Sequence, residues 1–309
     1  WPAHGRWRPP SSCPAAEHDW GGHCVRHEAL ELVREGHAVT VITPRAAISD
    51  DGVRTLDFAV SGALSPFGPP GAAARIRAFP PRALVAAAWA AHVRGALRRG
   101  RFDRVIAHWA VPCAWPAVDA ECEIVSHGSD VRLLAAMPAP VRARLVARLA
   151  SFARPWRFVS ESLRETLLAS LEPALASRVR AVATVKPPPI ALPDVSRRAE
   201  RLRAELGPFD VSLGRLVASK RVDRAIDRAA SSGELLVVVG DGPERASLER
   251  RATRSSARVR FVGDLPRDEA LAYLAAARSL FFASEAEGCS TVVREARALA
   301  TPVALLQPR

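Results

Sequence analysis

Long apolar runs are missing from this 309-residue chain. No run approaches the ~20 residues that a helix needs to cross a bilayer, and the first ten residues, WPAHGRWRPP, lack the apolar core of a secretory signal peptide. The sequence therefore predicts a cytoplasmic protein. Because 49% of the residues are hydrophobic, the chain can still bury two cores, which fits two domains.

Cysteine is scarce, and the pairs and clusters that bind metal ions are absent. The sequence contains five cysteines, namely Cys13, Cys24, Cys113, Cys122 and Cys289. They form no C-x-x-C pair and no Cys/His cluster with zinc spacing, so reduced thiols are expected. No Asp-x-Asp sequence occurs either. We therefore expect no metal ion and no other cofactor.

Lysine is nearly absent, because arginine supplies almost all of the positive charge. Only Lys186 and Lys220 occur among 44 basic residues, and 32 acidic residues leave a net charge of +12. Residues 138–158 mix arginines with apolar residues, which predicts a basic amphipathic helix that could rest on an anionic membrane surface. The alternative is a solvated helix. A specific nucleic-acid partner is not expected, because no nucleic-acid-binding motif occurs and the charge is spread along the chain.

The most informative segment is residues 281–303, FFASEAEGCSTVVREARALATPV. Its pattern predicts a strand, a turn of small residues and a helix that stops before Pro302. The free N–H groups at such a helix N-terminus, together with the positive end of the helix dipole, favour a phosphate group. Glu287 begins the turn and Glu295 lies in the helix, where its carboxylate could accept hydrogen bonds from sugar hydroxyls.

Three further segments each place a polar, glycine-containing turn after an apolar strand. They are IVSHGSDV at residues 124–131, FDVSLGRLVASK at 209–220 and LLVVVGDGPERASL at 235–248. Doubly wound parallel sheets bind ligands at the carboxyl ends of their strands, so these turns are candidate binding positions. Asp130 in the first segment is expected to cap the following helix or to orient its neighbours.

Together these segments resemble glycosyltransferase family 4, a family of retaining nucleotide-sugar glycosyltransferases with the GT-B fold. The similar motifs are the paired glutamates with the following Pro-Val strand at 287–303, Gly-Arg-Leu…Lys at 214–220, Gly-Asp-Gly-Pro at 240–243, His-Gly-Ser-Asp at 127–130, and a glycine-rich loop at 21–22 before a helix from about His23 to Arg34. The order of the motifs along the chain supports the resemblance more than any one motif does.

The resemblance implies a set of catalytic and donor-binding residues. The catalytic residues it implies are His127 and Glu287 near the donor sugar, with Arg215 and Lys220 on the diphosphate. The donor-binding residues it implies are Gly21, Gly22, Gly214, Gly240, Gly288, Cys289, Ser290, Thr291 and Glu295, of which Glu295 would bind the ribose. The cations meet a physical need, because a departing nucleoside diphosphate gains negative charge that fixed cations must balance where no metal ion does.

The expected fold is α/β, with two Rossmann-like domains that face a cleft. Residues 1–186 would form the first, acceptor-side domain and residues 187–309 the second, donor-binding domain. Strands are expected near residues 38–43, 104–107, 123–126, 157–160, 209, 235, 259, 280 and 303. The Gly- and Pro-rich residues 61–81 are expected to form a mobile loop. Compared with the family, the chain is expected to be truncated at both ends, with an incomplete C-terminal domain.

The expected activity is the transfer of a hexosyl group, with retained configuration, from a UDP- or GDP-linked donor to a hydroxyl of a glycan or a lipid-linked acceptor. Cell-envelope or exopolysaccharide assembly at the inner face of the cytoplasmic membrane is the expected setting. The alternatives are an inactive remnant that binds nucleotide, and a GT-B epimerase or phosphorylase. A nicotinamide dehydrogenase is disfavoured, because Arg245 occupies the third glycine position of G-x-G-x-x-G.

Overall fold

The computed structural model describes residues 23–306, apart from 45–51, 59–63, 68–71, 117, 119, 189, 191 and 285–289. The chain divides into two α/β units, of which the first ends at Pro189 and the second begins at Ile190. The division follows the proline run that begins at Pro187. Proline restricts the backbone and provides no N–H group for a sheet, so the chain leaves one unit there before it enters the next.

The first unit contains two parallel sheets. Its helices are α1 (His23–Arg34), α2 (Ala72–Ala78), α3 (Arg82–Arg99), α4 (Ser129–Ala135), α5 (Ala139–Phe152), α6 (Glu161–Ala169) and α7 (Pro173–Val182). Its strands are β1 (Val39–Thr43), β2 (Val53–Asp57), β3 (Ile106–His108), β4 (Cys122–Ser126), β5 (Ala153–Phe158) and β6 (Ala183–Val185). Strands β1 and β2 form a parallel pair, and β3 to β6 form a four-stranded parallel sheet in chain order.

Strands β4 and β5 form the centre of the four-stranded sheet. Every residue of β4 is buried. On β5, Trp156 and Phe158 are fully buried, and the Trp156 indole N–H donates to Ser126 Oγ at 3.0 Å. A buried indole N–H needs such an acceptor. This bond fixes the end of β4 next to β5, immediately before His127.

The prediction of a basic amphipathic helix over residues 138–158 is wrong in the length of the helix and in the exposure of its apolar face. Helix α5 ends at Phe152, and the remaining residues belong to strand β5. Its apolar residues Leu145, Val146 and Leu149 are buried in the first unit, and the exposed large apolar residue of this helix is Val141. The apolar stripe therefore covers the protein core and is not available to a membrane. No helix in the described part of the chain is long and apolar enough to span a bilayer.

The second unit is a doubly wound sheet. Its helices are α8 (Ser196–Leu206), α9 (Val222–Ser232), α10 (Arg245–Arg254), α11 (Arg267–Ala276) and α12 (Thr291–Ala298). Its strands are β7 (Phe209–Leu213), β8 (Leu235–Val239), β9 (Val259–Gly263), β10 (Ser279–Phe282) and β11 (Val303–Leu305). All five are parallel, in the order β11-β10-β7-β8-β9, so the winding direction reverses between β7 and β10.

Both faces of this sheet are covered by helices, which explains the continuous apolar run of β8. Leu236 and Val238 pack in a cluster with Ile226 of α9. Val237 and Val239 point to the other face and pack in a cluster with Leu271 of α11. Strands buried on both faces are expected to be apolar throughout, as LLVVV is.

The sequence patterns did not indicate two strands and one helix. Strands β2 and β6 were not predicted, and β6 has only three residues, Ala183 to Val185, which is too few for a periodic pattern. Helix α2 occupies residues 72–78 of the segment predicted to be a mobile loop. Residues 61–63 and 68–71 of that segment lie outside the described residues.

Two turns of the second unit pass unusually close to each other. Gly240 follows β8 with a φ of +127°, and a β-carbon there would lie 2.1 Å from the carbonyl oxygen of Gly214. A β-carbon at Gly242 would lie 2.4 Å from the carbonyl oxygen of Leu216. Only glycine permits this approach, because any side chain would overlap the neighbouring backbone.

We therefore expect Gly240→Ala to destabilise the protein by about 3 kcal/mol, through left-handed backbone strain and overlap with Gly214. Gly233→Ala is the matched control, because Gly233 also has a positive φ of +70° but nothing lies within 4 Å of its β-carbon position. The control should cost about 1 kcal/mol from backbone strain alone. Urea denaturation measures both, and equal losses would contradict the close approach.

Candidate functional site

The reversal point of the second sheet contains a surface pocket. In open parallel sheets of this kind, ligands bind outside the carboxyl ends of the two strands at which the winding reverses. Here those strands are β7 and β10, and the pocket is lined by Ser212, Leu213, Gly214, Arg215, Lys220, Val222, Phe281, Phe282 and Ser284. Three residues predicted from the sequence, Gly214, Arg215 and Lys220, therefore lie together.

Backbone hydrogen bonds fix the loop that carries Arg215. Gly214 N–H donates to the Val239 carbonyl at 3.0 Å, and Leu216 N–H donates to the Asp241 carbonyl at 2.8 Å. The Leu216 carbonyl in turn accepts the N–H of Glu244 at 3.0 Å. Packing therefore explains why residue 240 is a glycine. Because Gly240 has no side chain, the loop of residues 214–216 can approach the turn after β8.

Two cationic side chains belong to the pocket. Arg215 is exposed, and Lys220 ends a short 3-10 helix that begins at Ala218. The Lys220 side chain extends back towards Gly214, where its Cε lies 4.0 Å from the position of a β-carbon. Ser284 Oγ donates to the Ser219 carbonyl at 3.4 Å and so links the end of β10 to this helix. The pocket is therefore suited to an anion.

Helix α12 begins at Thr291, directly after Ser290. Ser290 Oγ and Arg294 Nη1 are shielded from solvent and make no hydrogen bond in the described structure. A shielded polar group without a partner is costly, so a ligand that supplied a partner here would stabilise both side chains. The predicted residues Glu287, Gly288 and Cys289 lie outside the described residues.

Glu295, predicted to bind ribose, is only 2% exposed. Arg267 Nη2 donates to Glu295 Oε1 at 2.6 Å. Burial raises the pKa of the Glu295 carboxyl, and Arg267 opposes that rise. Arg267 was not predicted, because nothing in the linear sequence links α11 to α12. The structure places Glu295 in an internal ion pair, so a hydroxyl group would have to share its carboxylate with Arg267.

A second group of candidate residues lies in the first unit, at the carboxyl end of β4. Asp130 is 1% exposed and accepts the backbone N–H groups of His127 and Gly128, both at 3.1 Å, and of Ala110 at 2.8 Å. Asp130 therefore orients the turn that precedes α4. It does not act as a helix N-cap, since the N-cap position is Gly128.

The His127 ring contacts two aromatic rings, one from the last residue of β3 and one from the residue that follows it. His127 Nε2 lies 2.9 Å from His108 Nδ1, and the two ring centroids are 5.2 Å apart. The Trp109 ring centroid lies 4.8 Å from that of His127. His108 was not predicted, although it ends a strand next to β4 and that position was a usable signal.

Behind the histidines lies a chain of ion pairs. His108 Nε2 lies 3.6 Å from Glu28 Oε2, Arg157 bonds to Glu28, and Arg157 Nε lies 2.8 Å from Glu123 Oε1. Arg104 pairs with Glu123 at the outer end. Arg157 is thus a buried cation between two carboxylates, which is the condition for placing an arginine in a protein interior.

Both histidines are neutral at physiological pH. Burial lowers the pKa of His108 to about 3, with the neighbouring His127 and Arg157 adding to the effect. Burial also lowers the pKa of His127 to about 4; Asp130 opposes this shift and Arg157 adds to it. A neutral imidazole has one N–H donor and one acceptor nitrogen, so His127 can form hydrogen bonds with hydroxyl groups without carrying charge.

Gly21 and Gly22 lie outside the described residues, and Thr291 is exposed at the start of α12. Within the described residues, no group of three or more His, Cys, Asp or Glu side chains could hold a metal ion. Cys113 and Cys122 are free thiols, and burial raises the pKa of each to about 12.

Residues 197–307 match the family Glycosyl transferases group 1. The match begins in α8 and includes the whole sheet of the second unit. No curated protein sequence matches the chain. The second unit is therefore similar to glycosyl transferases group 1 over these residues, and the prediction of a glycosyltransferase is confirmed.

Several solved structures share the fold of the chain. WaaG, a glycosyltransferase involved in lipopolysaccharide biosynthesis, is 19% identical over 92% of this chain and 76% of WaaG, with a TM-score of 0.59. An α,α-trehalose-phosphate synthase (UDP-forming) from Burkholderia vietnamiensis is 15% identical over 98% of this chain and 82% of its own, with a TM-score of 0.61.

A third structure is Anabaena Alr3699/HepE in complex with UDP. It is 20% identical over 70% of this chain and 62% of its own, with a TM-score of 0.52. At these identities the likeness establishes the fold. The α/β GT-B fold predicted from the sequence is confirmed.

The ion pair of Glu295 gives a pH-dependent prediction. Arg267→Gln leaves the buried Glu295 carboxylate without its cation and should cost about 3 kcal/mol near pH 7.5. The pKa of Glu295 is raised in the folded state. The stability that this carboxyl contributes is therefore fully present below its pKa in the unfolded chain, and it is lost as pH rises through its pKa in the folded protein. The loss of stability in the variant should therefore be smaller at pH 5 than at pH 7.5, because a protonated carboxyl no longer needs a cation.

Arg198→Gln is the matched control for this experiment. Arg198 pairs with Glu269 of α11 at 2.9 Å, but the two side chains are 36% and 37% exposed. Solvent screens such a pair, so its loss should cost under about 1 kcal/mol. Urea denaturation at both pH values provides the comparison. A loss for Arg267→Gln that equals the control, or that grows as pH falls, would contradict the buried pair.

Proposed function

We propose that the chain is a retaining glycosyltransferase that moves a sugar from a UDP-linked donor to an acceptor hydroxyl, and that the second unit holds the donor diphosphate. The observation that carries this proposal is the convergence of Arg215 and Lys220 on the pocket where the sheet reverses. The group 1 domain covers this pocket.

The proposed role of the two cations follows from the charge that the reaction develops. As the bond between the anomeric carbon and the diphosphate oxygen breaks, the leaving UDP gains negative charge, which fixed cations stabilise in the transition state. Arg215 offers a planar, bidentate guanidinium and Lys220 a compact ammonium group, and both suit phosphate oxygens. The fixed loop keeps them in place before the donor binds.

Helix α12 supplies a second proposed contact for the diphosphate. The N–H groups of its first turn and the positive end of its dipole favour an anion. Ser290 Oγ and Arg294 Nη1, which are shielded and unpartnered in the described structure, add two hydrogen-bond donors near this end of the helix. Glu295 would then bind the ribose while it remains paired with Arg267. This assignment follows the family 4 resemblance of residues 287–303.

Retention of configuration needs no dedicated protein base in this proposal. The acceptor oxygen bonds to the anomeric carbon on the face that UDP leaves, and the acceptor proton passes to a phosphate oxygen of the departing UDP. Double displacement through a protein nucleophile is the competing route. Neutral His127 would donate or accept a hydrogen bond with a sugar hydroxyl in either route.

The choice of UDP and of the acceptor class rests on relatives and on the motif resemblance. One solved relative was determined in complex with UDP, and another forms UDP in its reaction. WaaG acts in lipopolysaccharide biosynthesis. We therefore propose a glycan or lipid-linked acceptor in cell-envelope or exopolysaccharide assembly, at the inner face of the cytoplasmic membrane, without a metal ion.

UDP should raise the melting temperature of the purified chain in the presence of EDTA. A ligand that binds only the folded state stabilises it by about 2.7 kcal/mol at about 100 times its Kd. GDP and ADP at the same concentration should shift the melting temperature less. A cooperative melt that no nucleotide shifts would refute the donor site.

The reaction products distinguish the alternative functions. Nucleotide binding without glycoside formation would favour a nucleotide-binding remnant, and an epimerised donor or a sugar phosphate would identify the other GT-B classes.

Lys220→Ala should raise the Kd for UDP by roughly 10- to 100-fold, because charge-assisted hydrogen bonds to a phosphate are lost. Lys186→Ala is the matched control, since Lys186 is the other lysine of the chain and is exposed next to the proline run. Isothermal titration calorimetry gives both Kd values, and urea denaturation verifies equal folding. An unchanged Kd in Lys220→Ala would remove Lys220 from the donor site.

A further inference from the structure

The contact between His127 and His108 requires one ring to donate and the other to accept. Their facing nitrogens, His127 Nε2 and His108 Nδ1, are 2.9 Å apart. Two neutral imidazoles at this distance share a single hydrogen, and either ring can carry it. The choice decides whether the other nitrogen of His127 is a donor or an acceptor towards a substrate. The surroundings of the pair must therefore select the tautomer.

Glu28 is the carboxylate that can make this selection. Its Oε2 lies 3.6 Å from His108 Nε2, and the two side chains are 16% and 11% exposed, so solvent screens their interaction weakly. A carboxylate attracts an N–H and repels a nitrogen lone pair. Glu28 therefore favours a hydrogen on His108 Nε2, which leaves His108 Nδ1 as the acceptor. His127 must then donate from Nε2.

The other charged groups near the two rings do not oppose this arrangement. Asp130 is closest to His127 in sequence, but its oxygens accept three backbone N–H groups. Arg157 bonds to Glu28, and Glu123 on the far side of Arg157 balances part of the arginine charge. Arg157 holds the Glu28 carboxylate in place without occupying both of its oxygens, because it bonds to Oε1 and His108 faces Oε2.

We propose that Glu28 and His108 are positioning residues that hold His127 with its hydrogen on Nε2 and its lone pair on Nδ1. His127 then offers an acceptor to a hydroxyl group that donates a hydrogen bond. Trp109, whose ring centroid lies 4.8 Å from that of His127, restricts the ring plane. The identification of that hydroxyl as a sugar hydroxyl rests on the proposed function, whereas the tautomer does not.

The test is an NMR measurement on the full chain labelled with 15N-histidine. Long-range 1H–15N correlations distinguish the Nε2–H and Nδ1–H tautomers of each ring, and the signals are assigned by their loss in His127→Ala and His108→Phe. We expect Nε2–H for both rings in the unmodified chain. In Glu28→Gln, the second arrangement, with Nδ1–H on both rings, should appear alongside the first.

Glu31→Gln is the matched control, because Glu31 lies on the same helix and pairs with His27 at 3.1 Å, but is 41% exposed. It should leave both tautomers unchanged. An Nδ1–H tautomer of His127 in the unmodified chain overturns the proposal, and this result does not depend on the folding of Glu28→Gln. Tautomers that are unchanged in folded Glu28→Gln overturn it as well.

A kinetic measurement separates this proposal from the proposed function. If the chain transfers sugar, Glu28→Gln should lower kcat roughly 10- to 100-fold, as loss of a group that orients an active-site histidine does, while Glu31→Gln should stay within about twofold of the unmodified chain. A chain that lacks transfer activity but shows the expected tautomers refutes the proposed function alone. Normal kcat in Glu28→Gln refutes the positioning role alone.

Discussion

Burial of a parallel sheet on both faces is the constraint on which the rest of this structure depends. Leu236 to Val239 alternate between two apolar clusters, so neither face of that strand is left for chemistry. Polar residues and unpaired backbone groups must then gather at the strand ends. In the first unit this edge holds His108 and His127, and in the second it holds Gly214, Arg215 and Lys220. Both candidate sites are thus products of the same packing rule.

The sequence predicted what is local and periodic. Strands β4, β7 and β8 and the turns after them were identified from apolar runs and glycine turns, and the fold class followed from their order. The sequence did not predict the partners of the site residues. Arg267 and Glu295 are 28 positions apart, and Arg157 and Glu28 are 129 apart. Such pairs are set by how elements pack, and arginine is too common in this chain for its position to indicate a partner.

The high arginine content has different consequences inside and outside the protein. Arg157 and Arg267 are tied to buried carboxylates, so part of the positive charge serves internal neutralisation. Arg215 is exposed at the pocket. Helix α5 shows the same distinction for apolar residues, since the stripe that suggested a membrane surface is covered by the core. The positions of a few cations therefore indicate the binding partner of this protein better than its net charge does.

The hydrogen bonds between residues 214–216 and 239–244 also bear on how the ligand preference of the pocket could be changed by design. Three backbone bonds and two side-chain-free glycine positions join these turns, so they behave as a single rigid insert. If only one of the two turns were exchanged, its backbone would no longer match the hydrogen-bonding groups of the other turn, and its side chains could overlap that turn. Recombination between related sequences should therefore tolerate crossover points outside residues 214–244 far better than points within them, and a transplanted pocket would have to carry both turns together.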